Sequence, residues 1–227
     1  LQASVNDARE RFATVVSVLN TRIADRTLLA GTEVGNKAVA DSEVMLAELQ
    51  TAIAAETDAA GVSAVVEAWF DDVGGGFETN GYLGGTTDLA AFRIGPNEEV
   101  SLSLRADDQS LRDVLKGYAI AALVADGALS GQLDERAALV NDAGTRLMAS
   151  DYGLAGLRAS VGSVESRIET AKTRNGAETS ALEIARAKIV EVDPYKTATD
   201  LQSAEAQLSM LYTITARLSR LSLAEYL

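Results

Sequence analysis

The sequence predicts a mainly α protein, an elongated antiparallel helical bundle or coiled coil that carries a small inserted β-hairpin region. Three observations lead there. Apolar residues recur at spacings of three and four over most of the 227 residues. Hydrophobic residues make up 47% of the chain but aromatics only 5%, which suits long helices with thin seams better than a thick globular core. One glycine-rich stretch breaks the helical pattern and contains a run that alternates apolar and polar with period two.

The first helix is expected over residues 3–29. Val5, Ala8, Phe12, Val15 and Leu19 form one stripe that continues at Ile23, and Ala30-Gly31-Thr32 supplies a glycine stop. Asp41 or Ser42 caps a second helix reaching residue 56. Asp58 begins a third that ends near Trp69-Phe70, and these two rings read as packing anchors. Between residues 71 and 106, Gly74-Gly75-Gly76, Asn80-Gly81 and Gly84-Gly85 are turn material. Ala91-Phe92-Arg93-Ile94 and Val100-Ser101-Leu102-Ser103-Leu104 flank Gly95-Pro96-Asn97 and predict a hairpin. Asp107 or Asp108 then caps a helix over residues 110–125.

From Gln132 the pattern is almost continuously helical. Val140, Ala143, Leu147, Ser150, Leu154, Leu157, Val161, Val164, Ile168, Ala171, Asn175, Glu178, Leu182, Ala185, Ile189 and Val192 follow alternating steps of three and four, and thirteen of the sixteen are apolar. Such a register predicts a left-handed supercoiled seam, with Asn175 and Glu178 as a polar layer. A break is expected near Asp151-Tyr152-Gly153. Even residues 154–192 alone would extend about 58 Å as one helix, hence the elongated shape. Asp193-Pro194 offers an N-cap and a first helical residue, or a kinked continuation. The last helix carries Leu201, Ala204, Leu208, Leu211, Thr215, Leu218 and Leu221, with Tyr212 and Ile214 beside the stripe, and the chain closes Leu221-Ser222-Leu223-Ala224-Glu225-Tyr226-Leu227. No later element remains to cover this apolar face, so it must pack backwards or onto another molecule. The candidate assembly residues are Leu201, Leu208, Leu211, Ile214, Leu218, Leu221, Leu223, Tyr226 and Leu227.

Composition excludes several chemistries. The chain has no cysteine and no histidine, which removes disulfides, thiolate or imidazole metal sites, Cys nucleophiles and His acid–base catalysis. A formal net charge of −13 disfavours nucleic acid and anionic lipid. The richest apolar stretch, residues 118–125, is far below the roughly 20 residues a membrane span needs. Asp71-Asp72, Glu98-Glu99 and Asp107-Asp108 are adjacent pairs that do not face each other across a cleft; caps and solubility explain them. The glycine clusters lack the Lys-Ser/Thr of a phosphate loop. Catalytic, cofactor and metal sites are therefore all expected to be absent, and the protein is expected not to be an enzyme.

The two ends of the chain resemble the flagellin superfamily. The residues that carry this are Arg167-Ile168-Glu169, Lys188-Ile189, Asp193-Pro194-Tyr195-Lys196-Thr197-Ala198-Thr199, and Leu211-Tyr212-Thr213-Ile214-Thr215-Ala216-Arg217-Leu218 running into the Leu-Ser-Leu ending. Near the start, Leu19-Asn20-Thr21 and Asp25-Arg26-Thr27-Leu28-Leu29-Ala30-Gly31-Thr32 are similar to the superfamily's helix-ending turn, which more often has Gly where Asp25 stands. The resemblance implies a rod domain of residues 1–57 and 131–227, with residues 58–130 as an insertion displayed outward. It implies a structural flagellar component, exported through the flagellar secretion apparatus to the extracellular flagellum, that joins hook to filament by self-assembly into a ring. Its partners would be further copies of itself, a neighbouring hook-associated protein and flagellin, and an export chaperone, with no nucleic acid, no membrane insertion and no cofactor. A filament flagellin is the alternative within the superfamily; outside it, a secreted adhesin- or translocator-like binding module would use Trp69, Phe77, Tyr82 and Phe92 as contacts. The chain starts at Leu1 in what reads as mid-helix, so part of the N-terminal assembly helix is expected to lie outside it; the chain should then fold without assembling.

Overall fold

A computed structural model describes the backbone of residues 2–191 and 193–224 and the side chains of residues 7–191 and 193–220. The fold is mainly α with two small two-stranded sheets. It divides into two compact units, Leu1–Lys172 and Thr173–Leu227, and the division falls inside one helix.

In the first unit, α1 (Gln2–Leu19) presents Ala8, Phe12 and Leu19 of the expected stripe to the core, with Val16 buried where the stripe has Val15 and Val15 only partly covered; the side chain of Val5 lies outside the described residues. The helix stops ten residues earlier than expected, and Ile23 is exposed. Two contacts account for this. The Asn20 amide donates to the Val39 carbonyl and accepts from the Val39 N–H, both at 2.9 Å, which pins the chain where the helix would continue. The strands β1 (Arg22–Ile23) and β2 (Arg26–Thr27) then pair antiparallel, with Ile23 opposite Arg26. Gly31 is left-handed at φ 55°, but it ends no helix: a Cβ there would lie 2.6 Å from the Thr87 carbonyl oxygen, so the glycine permits two loops to cross.

The next two helices follow the sequence closely. α2 (Ser42–Ala52) runs into a 3₁₀ turn over Ile53–Ala55. α3 (Ala59–Asp71) is capped by Asp58, whose side chain accepts from the Gly61 N–H at 2.7 Å. Trp69 and Phe70 are buried with Phe77 in an edge-to-face cluster, and Tyr82 stacks on Phe77. The hairpin forms as β3 (Phe92–Gly95) and β4 (Glu98–Val100), with a bulge between Arg93 and Gly95. Its second strand begins two residues before the expected run and ends at its first member, so residues 101–104 lie outside the sheet.

α4 (Gln109–Ala125) is capped by Asp108, which accepts from Ser110 N–H at 2.8 Å, and its apolar face forms the centre of the core against α1, α2 and α3. α5 (Leu133–Val190) then runs 58 residues without the expected break at Asp151-Tyr152-Gly153. One helical glycine costs only about 1 kcal/mol. Gly153 moreover has a packing reason, because a Cβ there would meet Ser110 Oγ at 2.8 Å. Gly117 of α4 likewise admits Leu147, whose Cγ would lie 2.7 Å from an added Cβ. These approaches place α5 antiparallel to α4. On its other flank α5 runs parallel to α3, through Glu135 to the Ala59 N–H, Asp142 to Ser63 and Arg146 to Glu67. Beyond α5, Asp193 Oδ1 accepts from the Tyr195 and Lys196 N–H groups and α6 (Pro194–Ala224) starts at the proline, which settles cap against kink in favour of the cap.

Candidate assembly surface

The expected heptad seam on α5 is visible as a line of covered positions. Ala143, Ser150 and Ala171 are buried, and Leu147, Leu154, Leu157, Val161, Val164, Ile168 and Asn175 are partly covered, while most of the positions between them are exposed. The cover comes from inside the first unit. α4 lies over Ala143 to Gly153, and Arg167 donates to the Glu99 carbonyl at 3.1 Å where the hairpin meets the helix. The insertion is therefore held against the helical body at this point, which narrows the expectation that it is displayed outward.

In the second unit the same periodicity meets no cover. Asn175 is partly covered, and every other described side chain of residues 173–220 is exposed. Leu182 is 63% exposed although it continues the seam in register. On α6, the expected assembly residues Leu201, Leu208, Leu211, Ile214 and Leu218 are all exposed, Leu211 at 61%. They share one broad helical face. Leu221 and Leu223 continue the helix, but their side chains are outside the described residues, as are Tyr226 and Leu227 altogether. Sequence reasoning missed Ile184, Val190, Tyr195 and Met210, which are also exposed and apolar but lie off the heptad stripe. Their signal was the apolar content of a segment with nothing to bury it. Contiguous exposed apolar residues of this kind are a candidate interaction surface.

Charge divides along the same line. Residues 173–227 carry six basic and seven acidic side chains, so of the chain's −13 the first unit holds −12. The exposed apolar residues of the second unit therefore lie on a segment that is close to neutral.

The polar clusters of the first unit are structural. Lys116, with 5% of its side chain exposed, donates to Asp71 at 2.6 Å and forms an ion pair with Asp113 at 2.7 Å. Arg105 bridges Asp88 and Asp107, and its hydrogen bonds to Asp107 foremost hold its pKa above the usual value. Burial pushes the Tyr82 phenol up to about 12, and its hydroxyl donates to the Gly85 carbonyl at 2.9 Å. Among the described residues no group of three or more acidic, His or Cys side chains is placed to hold a metal ion, and no helix is long and apolar enough to cross a membrane.

Residues 145–227 match the family model of the bacterial flagellin C-terminal helical region. The match takes in the covered seam from Leu147 onward, the whole second unit and every candidate assembly residue. This part of the chain is similar to flagellin C-termini, which supports the flagellin superfamily and a structural, self-assembling component of the extracellular flagellum. No curated protein and no solved structure matches the chain.

Proposed function

We propose that the protein is a hook–filament junction subunit, of the kind called hook-associated protein 3, and that it assembles through the apolar faces of residues 173–227. The observation that carries this reading is the coincidence of two independent facts: the flagellin-type match spans these residues, and they expose a heptad pattern that nothing in their own unit buries. Helices this exposed gain most of their stability from packing, so a partner must supply it. Copies of the same chain are the primary partner; a neighbouring hook-associated protein, flagellin and an export chaperone are the expected others.

The choice between junction protein and filament flagellin rests on the ending Leu221-Ser222-Leu223-Ala224-Glu225-Tyr226-Leu227, which resembles the former. Copy number separates them, since a junction subunit is a trace band in sheared flagella and a flagellin is the bulk. A secreted binding module is disfavoured because Trp69 and Phe77, two of its proposed contacts, are core residues.

Leu211→Asp or Leu218→Asp, introduced into the cell's own gene, tests the surface. A lone charge on a packed seam costs several kcal/mol. Motility should be lost while the first unit keeps its stability. Normal filaments on a Leu211→Asp hook would remove α6 from the assembly surface.

A further inference from the structure

The first unit carries a projecting hairpin at one end and a cleft at the other. β1 and β2 pair Ile23 directly with Arg26, so these two side chains point to one side of the hairpin. Thr27 is buried on the opposite side, and its Oγ1 donates to the Asn36 carbonyl at 2.6 Å, which fixes the hairpin to the body. Ile23 and Arg26 are thereby held outward, with Ile23 61% exposed. The cleft, about 380 Å³, lies at the C-terminal end of α4. Ile53, Leu123 and Leu129 contribute apolar lining to it, and Gln50, Glu56 and Gln132 contribute polar lining. α4 separates the two features. Its N-terminal end adjoins the hairpin, where the Ala106 N–H donates to the Leu29 carbonyl at 2.9 Å and the Leu28 N–H to the Thr21 carbonyl at 3.1 Å. Its 17 residues then run about 26 Å to the cleft. The hairpin of a copy therefore cannot reach that copy's own cleft.

The charges of the two features are complementary. The hairpin carries Arg22 and Arg26 against Asp25, and Arg22 is turned onto the Asp25 carbonyl. Behind it lie Glu33 and the paired Lys37 and Asp41. Around the cleft, five carboxylates (Glu43, Glu56, Asp58, Asp126 and Glu135) meet two cations. Arg9 is held by Glu43 and Asp126, and Arg136 is turned onto the Val124 and Ala128 carbonyls. Among the described residues neither Arg26 nor Glu56 has an ion pair. We propose that the hairpin of one copy docks into the cleft of a second copy, with Arg26 pairing with Glu56 and Ile23 covering Ile53 and Leu129. The occupant is a second copy because this chain carries both complementary halves, at ends that cannot meet within one molecule. Such a contact is heterologous, so each bound copy keeps one free hairpin or one free cleft, and repetition gives a ring or a helix. Two first units share a net negative charge, but with screening over about 8 Å in physiological salt only charges near the contact act on each other. The contact lies within the first unit and does not rest on the junction reading or on residues 173–227.

The test is disulfide trapping, since the chain has no cysteine of its own and introduced thiols report only this contact. Full-length chains bearing Ala24→Cys, at the hairpin tip, and Ala54→Cys, on the cleft, are mixed and oxidised; both alanines are exposed. The mixed dimer should form at least about threefold more than with Val73→Cys in place of Ala54→Cys. Val73 is 96% exposed at the far end of α3 from the cleft. A chain bearing both Ala24→Cys and Ala54→Cys should give a ladder of higher oligomers. Arg26→Glu should lower the mixed dimer at least about threefold, and Arg26→Glu with Glu56→Arg in one chain should restore it. Trp69 fluorescence reads whether each variant is folded; should Glu56→Arg unfold the chain, Arg26→Glu on the exposed hairpin decides alone. Equal trapping at Ala54→Cys and Val73→Cys overturns the proposal, as does trapping that Arg26→Glu leaves unchanged or that a folded double exchange fails to restore. Trapping only between two Ala24→Cys chains would mean a symmetric contact and overturn it too. The mixed dimer should survive Leu211→Asp; its loss there would make the α6 face the driver and overturn the hairpin as a contact of its own.

Discussion

A single helix, α5, carries one heptad pattern through two environments. From Ala143 to Ala171 its seam is buried or partly covered, with α4 against Leu147 and Gly153 and the hairpin meeting Arg167; at Leu182 and Ile189, in register with the same seam, it is exposed. The comparison teaches that periodicity marks the positions that need cover but does not say which chain provides it. Where the cover is intramolecular the seam is core; where the chain supplies none, the same residues stay exposed, and they are the surface proposed above for assembly. The charge distribution agrees, since the unit with its own core holds nearly all the net negative charge and the unit without one is close to neutral.

The sharpest way to break this comparison is to truncate one leucine on each side of it. Leu139 is fully buried. Leu139→Ala should cost about 2–5 kcal/mol in denaturant unfolding followed by Trp69, the chain's one tryptophan and a reporter of the first unit. Leu182→Ala should shift neither that midpoint nor the helical circular dichroism by more than ~0.5 kcal/mol in the isolated chain. A large loss at Leu182 would mean that α5 is covered throughout.

Glycines sharpen the same contrast. Gly117→Ala drives a methyl into Leu147 and should destabilise by about 1–3 kcal/mol. Gly162, on the outer face of α5, has nothing within 4 Å of an added Cβ, and Gly162→Ala should stabilise by up to about 1 kcal/mol, read as a higher melting temperature. Equal effects at the two positions would show that α4 does not approach α5 as closely as described.

Burial in the first unit also has a pH signature. The Tyr82 phenol titrates near 12 in the fold, against about 10 in an unfolded chain. Between those values the unfolded state has released a proton that the folded state keeps. Stability is therefore fully present below pH 10 and falls as pH rises toward 12. Tyr82→Phe should flatten this alkaline slope, and the late-titrating component of the tyrosinate absorbance that belongs to Tyr82 should disappear in the variant.

Much of this was legible in the sequence because local chemistry determined it. Asp58, Asp108 and Asp193 cap the helices they were expected to start, and the seam positions on α5 as far as Asn175 are buried or partly covered. The misreadings share one physical cause, long-range contact. α1 ends at Leu19 because Asn20 is held by Val39, nineteen residues away. α5 passes through Gly153 because Ser110 rests there. The run Val100-Ser101-Leu102-Ser103-Leu104 has the right alternation, but its apolar side is turned in without a strand to pair with, and period two cannot tell one support from another. The apolar face of α6 was legible as a stripe; its full exposure was not, since exposure depends on what the rest of the chain fails to bring.

The smallest expected effect falls on the turn between β1 and β2, in the unit whose stability is its own. Ala24 and Asp25 connect β1 to β2 as a two-residue loop, with φ of 48° and 63°. Left-handed values at both central residues are what a type I′ hairpin turn requires, and Asn-Gly satisfies them best. Asp tolerates this region better than most residues with a side chain, yet less well than Gly. Asp25→Gly should therefore raise the stability of the first unit by several tenths of a kcal/mol, and by no more than about 1 kcal/mol, because relief of backbone strain is partly offset by the greater freedom of glycine in the unfolded chain. Asp25→Val should lower it, since a β-branched residue resists positive φ. Both shifts should appear in the unfolding midpoint read from Trp69, with the helical signal of residues 173–224 unchanged. A destabilising Asp25→Gly would mean that the Asp25 side chain matters more to this turn than its backbone angle does.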